Sequence, residues 1–294
     1  MSRLAGQAFR DALQIEKPLQ IAGTVNAYCA MMAEKAGFRS IYLSGAGVAN
    51  ASHGLPDIGM TSLNDVIEDA RRITAITSVP MLVDIDTGWG GAFSIHRTIK
   101  EMIRAGVAAV HMEDQVAPKR CGHRPGKQIV TTEEMLDRIK AAVDARYDES
   151  FFIMARTDSF VSEGLEASVE RAKKYIEAGA DGIFVEAVQT EEHYRAFRKA
   201  LNAPILANMT EFGVTELYNT KTLQTWGVDM VLYPLSAFRA MSKAAENVYH
   251  RIRSAGDQNA VVETMQTRNE LYDYLNYHQY EDKLDELFSQ KDNK

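Results

Sequence analysis

A chain of 294 residues, 46% hydrophobic and 25% charged, has the make-up of an ordinary globular protein with room for one large domain or two small ones. A net charge of −7 with no basic stripe excludes a nucleic-acid footprint, and two cysteines, Cys29 and Cys121, exclude a disulfide framework and fit a reducing compartment. The N-terminal stretch "MSRLAGQAFRDALQIEKP" lacks a signal peptide's apolar core and no apolar run could span a bilayer, so a soluble, cytoplasmic protein with no membrane partner is expected.

In chain order, apolar runs predict strands at about 19–25, 38–43, 80–85, 107–112, 151–156, 181–186, 203–209 and 228–233. Four of them share one pattern, in "EKAGFRSIYLSG", "IRAGVAAVHMED", "IEAGADGIFVEA" and "QTWGVDMVLYPL". Each passes from a helix end through a glycine (Gly37, Gly106, Gly179, Gly227) into a run apolar enough for a strand buried on both faces. Helical patterns such as "SIHRTIKEMIRAG" and "LEASVERAKKYIEAG" separate the strands. Eight such units predict an α/β fold, a (β/α)8 barrel. A doubly wound open sheet competes, but its glycine-rich phosphate turn is missing, because "SGAGVAN" lacks the G-x-G-x-x-G spacing. The barrel is expected as a single domain over 1–294, with a helical extension over 240–294. In that tail "VVETMQTRNELYDYLNYHQYEDKLDELF" is helical in pattern and crowds Tyr272, Tyr274, Tyr277 and Tyr280. It reads equally as a helix packed on its own barrel or docked on a neighbouring subunit.

Chemistry in such a barrel gathers at the C-terminal strand ends. Those positions hold Tyr42, Ser44, Gly45, Asp84, Asp86, Glu113, Asp114, Arg156, Asp158, Glu186, Asn208, Thr210 and Tyr233. Strand alternation places Asp84 and Asp86 on one side, and with Glu113 and Glu186 they form a set of hard oxygen donors suited to Mg2+ or Mn2+. Arg156, at the end of a buried strand, needs an anion. Either a substrate carboxylate or a structural pair with Asp158 or Glu186 supplies one. The longest connections, Ser44 to Pro80 and Asp114 to Phe151, read as binding loops.

The second of these carries "VAPKRCGHRPGK", which sets Cys121 among Lys119, Arg120, His123, Arg124 and Lys127. A zinc site lacks further ligands at suitable spacing, and a redox pair with Cys29 lacks a C-x-x-C motif. Acid–base chemistry by a thiol whose pKa is lowered by neighbouring cations stands beside the plain reading, a surface cysteine on a basic loop.

"KRCGHRPGK" resembles the signature loop of the isocitrate lyase superfamily. "YLSGAGVAN", "GLPDIG", "VDIDTGWGG", "VHMEDQ", "MARTDS" and "FVEA" follow in that family's order, over about residues 20 to 270. The "SGAGVAN" segment departs from the family's more glycine-rich form, a change Ala46 is small enough to absorb. The resemblance implies a homotetramer of barrels that exchange C-terminal helices, and a Mg2+-assisted (or Mn2+-assisted) retro-aldol-type lyase acting on a small tricarboxylate. By the same carry-over, Cys121 is the acid that protonates the departing carbanion, tuned by Lys119 and His123. The metal rests on Asp84 and Asp86, and Asp57 and Glu113 hold its waters. Substrate is held by Ser44, Gly45, Ala46, Cys121, Gly122, Arg156, Glu186, Asn208, Met209, Thr210, Arg239 and Arg268. Tyr42, or a carboxylate acting through metal-bound water, is the initial base. The Arg-Pro form of the loop at His123–Gly126, with apolar Phe184 and Leu232, implies room for an extra methyl group. The implied reaction is cleavage of 2-methylisocitrate to pyruvate and succinate, in the 2-methylcitrate cycle of propionate breakdown. Isocitrate or a related 2-hydroxy acid is the alternative substrate, and a binding barrel without turnover the alternative class. The joint presence of Cys121, Asp84 and Asp86 counts against the latter.

Overall fold

The computed structural model describes residues 4–120, 122 and 126–289. Eight strands, β1 (Leu19–Gly23), β2 (Ser40–Leu43), β3 (Met81–Asp84), β4 (Ala109–Glu113), β5 (Phe152–Thr157), β6 (Gly182–Val185), β7 (Ile205–Asn208) and β8 (Met230–Tyr233), pair in parallel in chain order. β8 also pairs with β1, Ile21 opposite Leu232, and so closes the barrel and removes the open-sheet alternative. All eight expected strands are present, with ends shifted by one or two residues; β4 and β5 run one residue further than expected, to Glu113 and Thr157. The run expected from 203 begins only at Ile205, because Pro204 has no N–H to donate to a ladder.

Alternation along the strands separates two apolar layers. Ile41, Leu43, Val83, Ile153, Ile183 and Val231 pack outward with helix residues such as Val66, Ile99 and Phe197. Tyr42, Leu82, Phe152, Met154, Phe184, Leu206 and Leu232 form the interior. The helix Ala92–Arg104 shows how the outer layer is made: Ile95, Ile99 and Met102 recur at helical spacing and are buried, while its other face is charged. After it, Gly106 takes φ 77°, the left-handed position that lets the chain turn into β4.

At the N-terminal end of the barrel, the helix Ala5–Ile15 inserts Phe9, fully buried, against Phe152 at 5.2 Å between ring centroids. Burying that ring contributes about 2–3 kcal/mol. Asp181 ties the same region together, accepting from Arg10 (2.8 Å), Arg146 (2.6 Å) and the backbone N–H of Ile153 (2.9 Å).

The chain divides into two compact units, Met1–Phe238 and Arg239–Lys294. The second unit is helical: it holds most of Ser236–Ala255, then a 3-10 turn Asn259–Thr264, and the helices Arg268–Leu275 and Tyr277–Ser289. The tail expected as one helical stretch is therefore broken. Asn276 adopts φ 51°, which ends one helix before the next begins, and Tyr272 stacks on Tyr277 across the break at 4.2 Å. Among the described residues, no helix is long and apolar enough to cross a membrane.

Candidate active site

The interior positions that are apolar along most of each strand become polar at its C-terminal end. Leu82 is followed in phase by Asp84, Ala109 by His111 and Glu113, Met154 by Arg156, Phe184 by Glu186, and Leu206 by Asn208. Period-two geometry thus collects these side chains in one mouth, all of them buried.

Asp84 and Asp86 do converge, though not by strand alternation as expected. β3 ends at Asp84, and Asp86 lies beyond it in a turn with φ 46°. Its backbone N–H donates to Asp84 Oδ1 at 3.0 Å, which folds the second carboxylate back over the first. Gly45, just after β2, donates its N–H to Asp84 Oδ2 at 3.2 Å. A β-carbon there would stand 3.0 Å from Asp86 Oδ1 and 3.1 Å from Asp84 Oδ2, so both carboxylates face the Ser44–Ala46 segment.

Two buried charge knots make up the rest. In the first, Lys119 pairs with Asp57 and lies 3.1 Å from Asp86 Oδ1. In the second, Arg156 reaches Asp158 (2.9 Å), Glu113 (3.3 Å) and Glu186 (3.2 Å), while Asn208 donates to both Glu186 oxygens at 3.4 Å. The structural pair foreseen for Arg156 is thus present. Burial alone would lower Lys119 and Arg156, but the surrounding carboxylates hold both well above their ordinary values. Burial also drives Glu113 well up and, with the Asp84 charge working against the pull of Lys119, takes Asp86 to about 6.

This donor set fits a hard divalent cation. Asp57, Asp84, Asp86, Glu113, Asp158 and Glu186 outnumber the cations Lys119, Lys127 and Arg156. Asp86 Oδ1 and both oxygens of Glu113 are buried and, apart from the ion pairs with Lys119 and Arg156, have no hydrogen-bond partner among the described residues. Among the described residues, no three metal-ligating side chains are gathered within reach of one ion.

One contributor escaped the sequence reading. His111, fully buried, stands 2.9 Å from the Tyr42 hydroxyl through Nε2, and its Nδ1 is 3.8 Å from Asp84 Oδ1. Burial lowers its pKa to about 4, so the imidazole is neutral, and burial together with Asp84 keeps the Tyr42 phenol protonated. The signal was available as a lone histidine in phase with Glu113 inside "AAVHMED". Asp114, expected among the strand-end residues, accepts from Thr157 (2.8 Å), the Asp158 N–H (2.8 Å) and Tyr175 (2.9 Å), and so braces the β4 and β5 ends from behind.

Met209 and Thr210, directly after β7, are buried beside Asn208. Gly122 sits so close to the second knot that a β-carbon on it would lie 2.7 Å from Glu186 Cγ and nearer still to Arg156 Nη2. A cavity of about 1000 Å³ opens between Asp57 and the loop residues Gln115, Lys119 and Arg120. Cys121 and His123 lie outside the described residues. Arg239, in the helix Ser236–Ala255, and Arg268, opening the helix Arg268–Leu275, belong to the second unit.

The phosphoenolpyruvate phosphomutase family model matches residues 9–253. A 2-methylisocitrate lyase of Shewanella oneidensis is 64% identical, over 99% of this chain and 99% of that protein. Among solved structures, a 2,3-dimethylmalate lyase, described as a PEP mutase/isocitrate lyase superfamily member, superposes with a TM-score of 0.90 at 33% identity, covering 98% of this chain and 96% of that one. A phosphonopyruvate hydrolase complexed with oxalate and Mg++ gives 0.83 at 29% identity, covering 95% and 97%. Matched over most of its length and closed into the same barrel, the chain belongs to the phosphoenolpyruvate phosphomutase family, within the PEP mutase/isocitrate lyase superfamily.

Proposed function

We propose that the chain is a carbon–carbon lyase that cleaves 2-methylisocitrate to pyruvate and succinate in the cytoplasm, as a step of the 2-methylcitrate cycle. The observation that carries this reading is the full-length 64% identity to a 2-methylisocitrate lyase, joined to a mouth whose carboxylates and arginine suit a metal-assisted cleavage of a polycarboxylate.

Mg2+, held by Asp84 and Asp86 with Asp57 and Glu113 on its waters, would supply positive charge next to the oxygen that becomes the ketone of pyruvate. The residues do the rest. Arg156, Asn208 and Thr210 bind carboxylate, and Arg239 and Arg268 keep the carboxylate-binding role that the resemblance implies. The Ser44–Ala46 segment receives the half that becomes pyruvate. The C2 hydroxyl gives up its proton, to Tyr42 as the phenol passes its own proton to His111 Nε2, or to a mouth carboxylate acting through water. The C2–C3 bond then breaks, and its electron pair stays on C3 of the succinate half. A proton from the Cys121 thiol quenches that carbanion, and the thiolate later regains a proton from water. Lys119 and His123 keep their assignment as the groups that tune Cys121. Phe184 and Leu232, both buried in the barrel interior, make an apolar wall for the substrate methyl, which is worth a few kcal/mol of preference at most.

We also propose a homotetramer with exchanged C-terminal helices. Support comes from the second unit, whose helices bury no residue yet carry exposed Leu271, Leu275, Tyr277, Leu284 and Leu287. Light scattering on the eluting species should give four copies, and a monomer would refute this.

The test of the reaction compares kcat/KM for 2-methylisocitrate and isocitrate with Mg2+ present. Pyruvate release should exceed glyoxylate release by about tenfold or more. Equal or slower pyruvate release would defeat the substrate assignment.

A further inference from the structure

Lys127 closes the basic stretch around Cys121, and nothing in the proposed reaction uses it. Its side chain is 7% exposed, so its ammonium has been taken out of water and must be met by partners. It has two. Nζ donates to the backbone carbonyl oxygen of Gly122 at 2.6 Å and to Asp158 Oδ1 at 2.7 Å.

Neither partner is incidental to the site. Gly122 is the residue packed directly on Arg156 and Glu186, where no side chain would fit. Asp158 grips Arg156 with both oxygens, Oδ2 taking Nε at 2.9 Å and Oδ1 taking Nη2 at 3.2 Å. One ammonium therefore fastens the loop backbone next to Cys121, and the same ammonium shares a carboxylate oxygen with the arginine of the mouth. Asp158 is itself fixed, since its N–H donates to Asp114. The fixed end of the arrangement is the strand end, and the end being positioned is Gly122.

We propose that Lys127 is a positioning residue: it seats Gly122 over Arg156 and holds Asp158 in the orientation that aims the arginine's guanidinium. This rests on the reading of Arg156 as the carboxylate-binding group. A simple surface pair would leave the lysine exposed and bonded to carboxylate alone. Here the ammonium is buried and half of its bonding goes to the backbone of a loop.

The experiment uses the full chain with Lys127→Met and Lys127→Arg. Hydrogen exchange of the substrate-free protein is followed by mass spectrometry, and kcat and KM are measured separately on 2-methylisocitrate. In the methionine variant, peptides within 116–130 should exchange about tenfold faster while those of β5 exchange as in the wild type. Its kcat should fall by about ten- to a hundredfold with a smaller change in KM, the cost of a misplaced group. Arginine, which can bond both oxygens, should restore most of the protection and most of kcat. Wild-type exchange over 116–130 in the methionine variant, or a kcat within about twofold of wild type, overturns the proposal. Lys127→Gln replaces the methionine variant should that one fail to fold. Because exchange is read without substrate, a wild-type protein that does not cleave 2-methylisocitrate would overturn the functional reading and leave the loop test standing.

Discussion

The Tyr42 hydroxyl and His111 Nε2 face each other at 2.9 Å inside the barrel, with Asp84 Oδ2 3.5 Å from the same hydroxyl. His111 is neutral, and the Asp84 charge 3.8 Å from Nδ1 favours the tautomer with the ring proton there. Nε2 is then an acceptor and the phenol proton points at it. That leaves the lone pairs of the Tyr42 oxygen turned to the mouth. His111→Leu should lower kcat by about a hundredfold with little change in KM, and His111→Gln, which keeps an acceptor, should recover part of it. Equal loss in both variants, tracking their melting temperatures, would reduce His111 to a packing role.

Asp86 is held in a left-handed turn that asparagine also tolerates. Asp86→Asn should keep the fold and weaken Mg2+ binding about tenfold or more by titration calorimetry. Unchanged affinity would remove Asp86 from the metal site. Asp86→Val should instead cost stability, because a β-branched residue is strained at φ 46°.

Gly122→Ala puts a methyl group into Arg156 and Glu186, which are buried and paired with each other at 3.2 Å. The expected outcome is a loss in kcat/KM of about tenfold or more with an unaltered melting temperature. Full activity would mean that the loop does not sit over Arg156 during turnover.

Stability at the periphery has its own signature. Ser62 and Asp65 form a capping box at the helix Leu63–Thr74, and the Ser62 hydroxyl, followed by its backbone N–H, lowers the Asp65 pKa. A carboxylate lowered on folding stabilises the protein above its unfolded pKa, and that stabilisation is lost as pH falls through the folded value. Asp65→Asn should cost about 0.5 kcal/mol at neutral pH in urea unfolding, a small figure because the side chain is partly solvated. The difference from wild type should shrink below the ordinary carboxylate value of 3.8. A gap that persists there would assign the effect to shape rather than charge.

Phe9→Ala should cost about 3–5 kcal/mol, read from the urea midpoint, because the barrel floor cannot collapse to fill the space. A loss below about 1 kcal/mol would mean that the N-terminal helix contributes little to closing that end.

The barrel was legible because most of the strands are buried on both faces and so read as unbroken apolar runs ending in polar residues. Asp84, Glu113, Arg156, Glu186 and Asn208 followed from their place at those ends. Convergence of Asp86 on Asp84 was foreseen for the wrong reason, since a positive φ leaves no mark in a strand pattern. His111 was hidden within a strand that otherwise looks like core. Lys127 was read only as one charge among five, because what makes it particular is a carbonyl five residues back and a carboxylate thirty-one residues on, a meeting set by the fold.

Phe9 turns the barrel into a blind well. With its lower end packed by Phe9, Phe152 and the rings and aliphatic chains above them, the described residues leave the site its opening at the mouth. Both products must retreat along the path the substrate took, past the same loop. Each product held there stands in the doorway of the next substrate molecule, so product inhibition is a consequence of the architecture as much as of affinity.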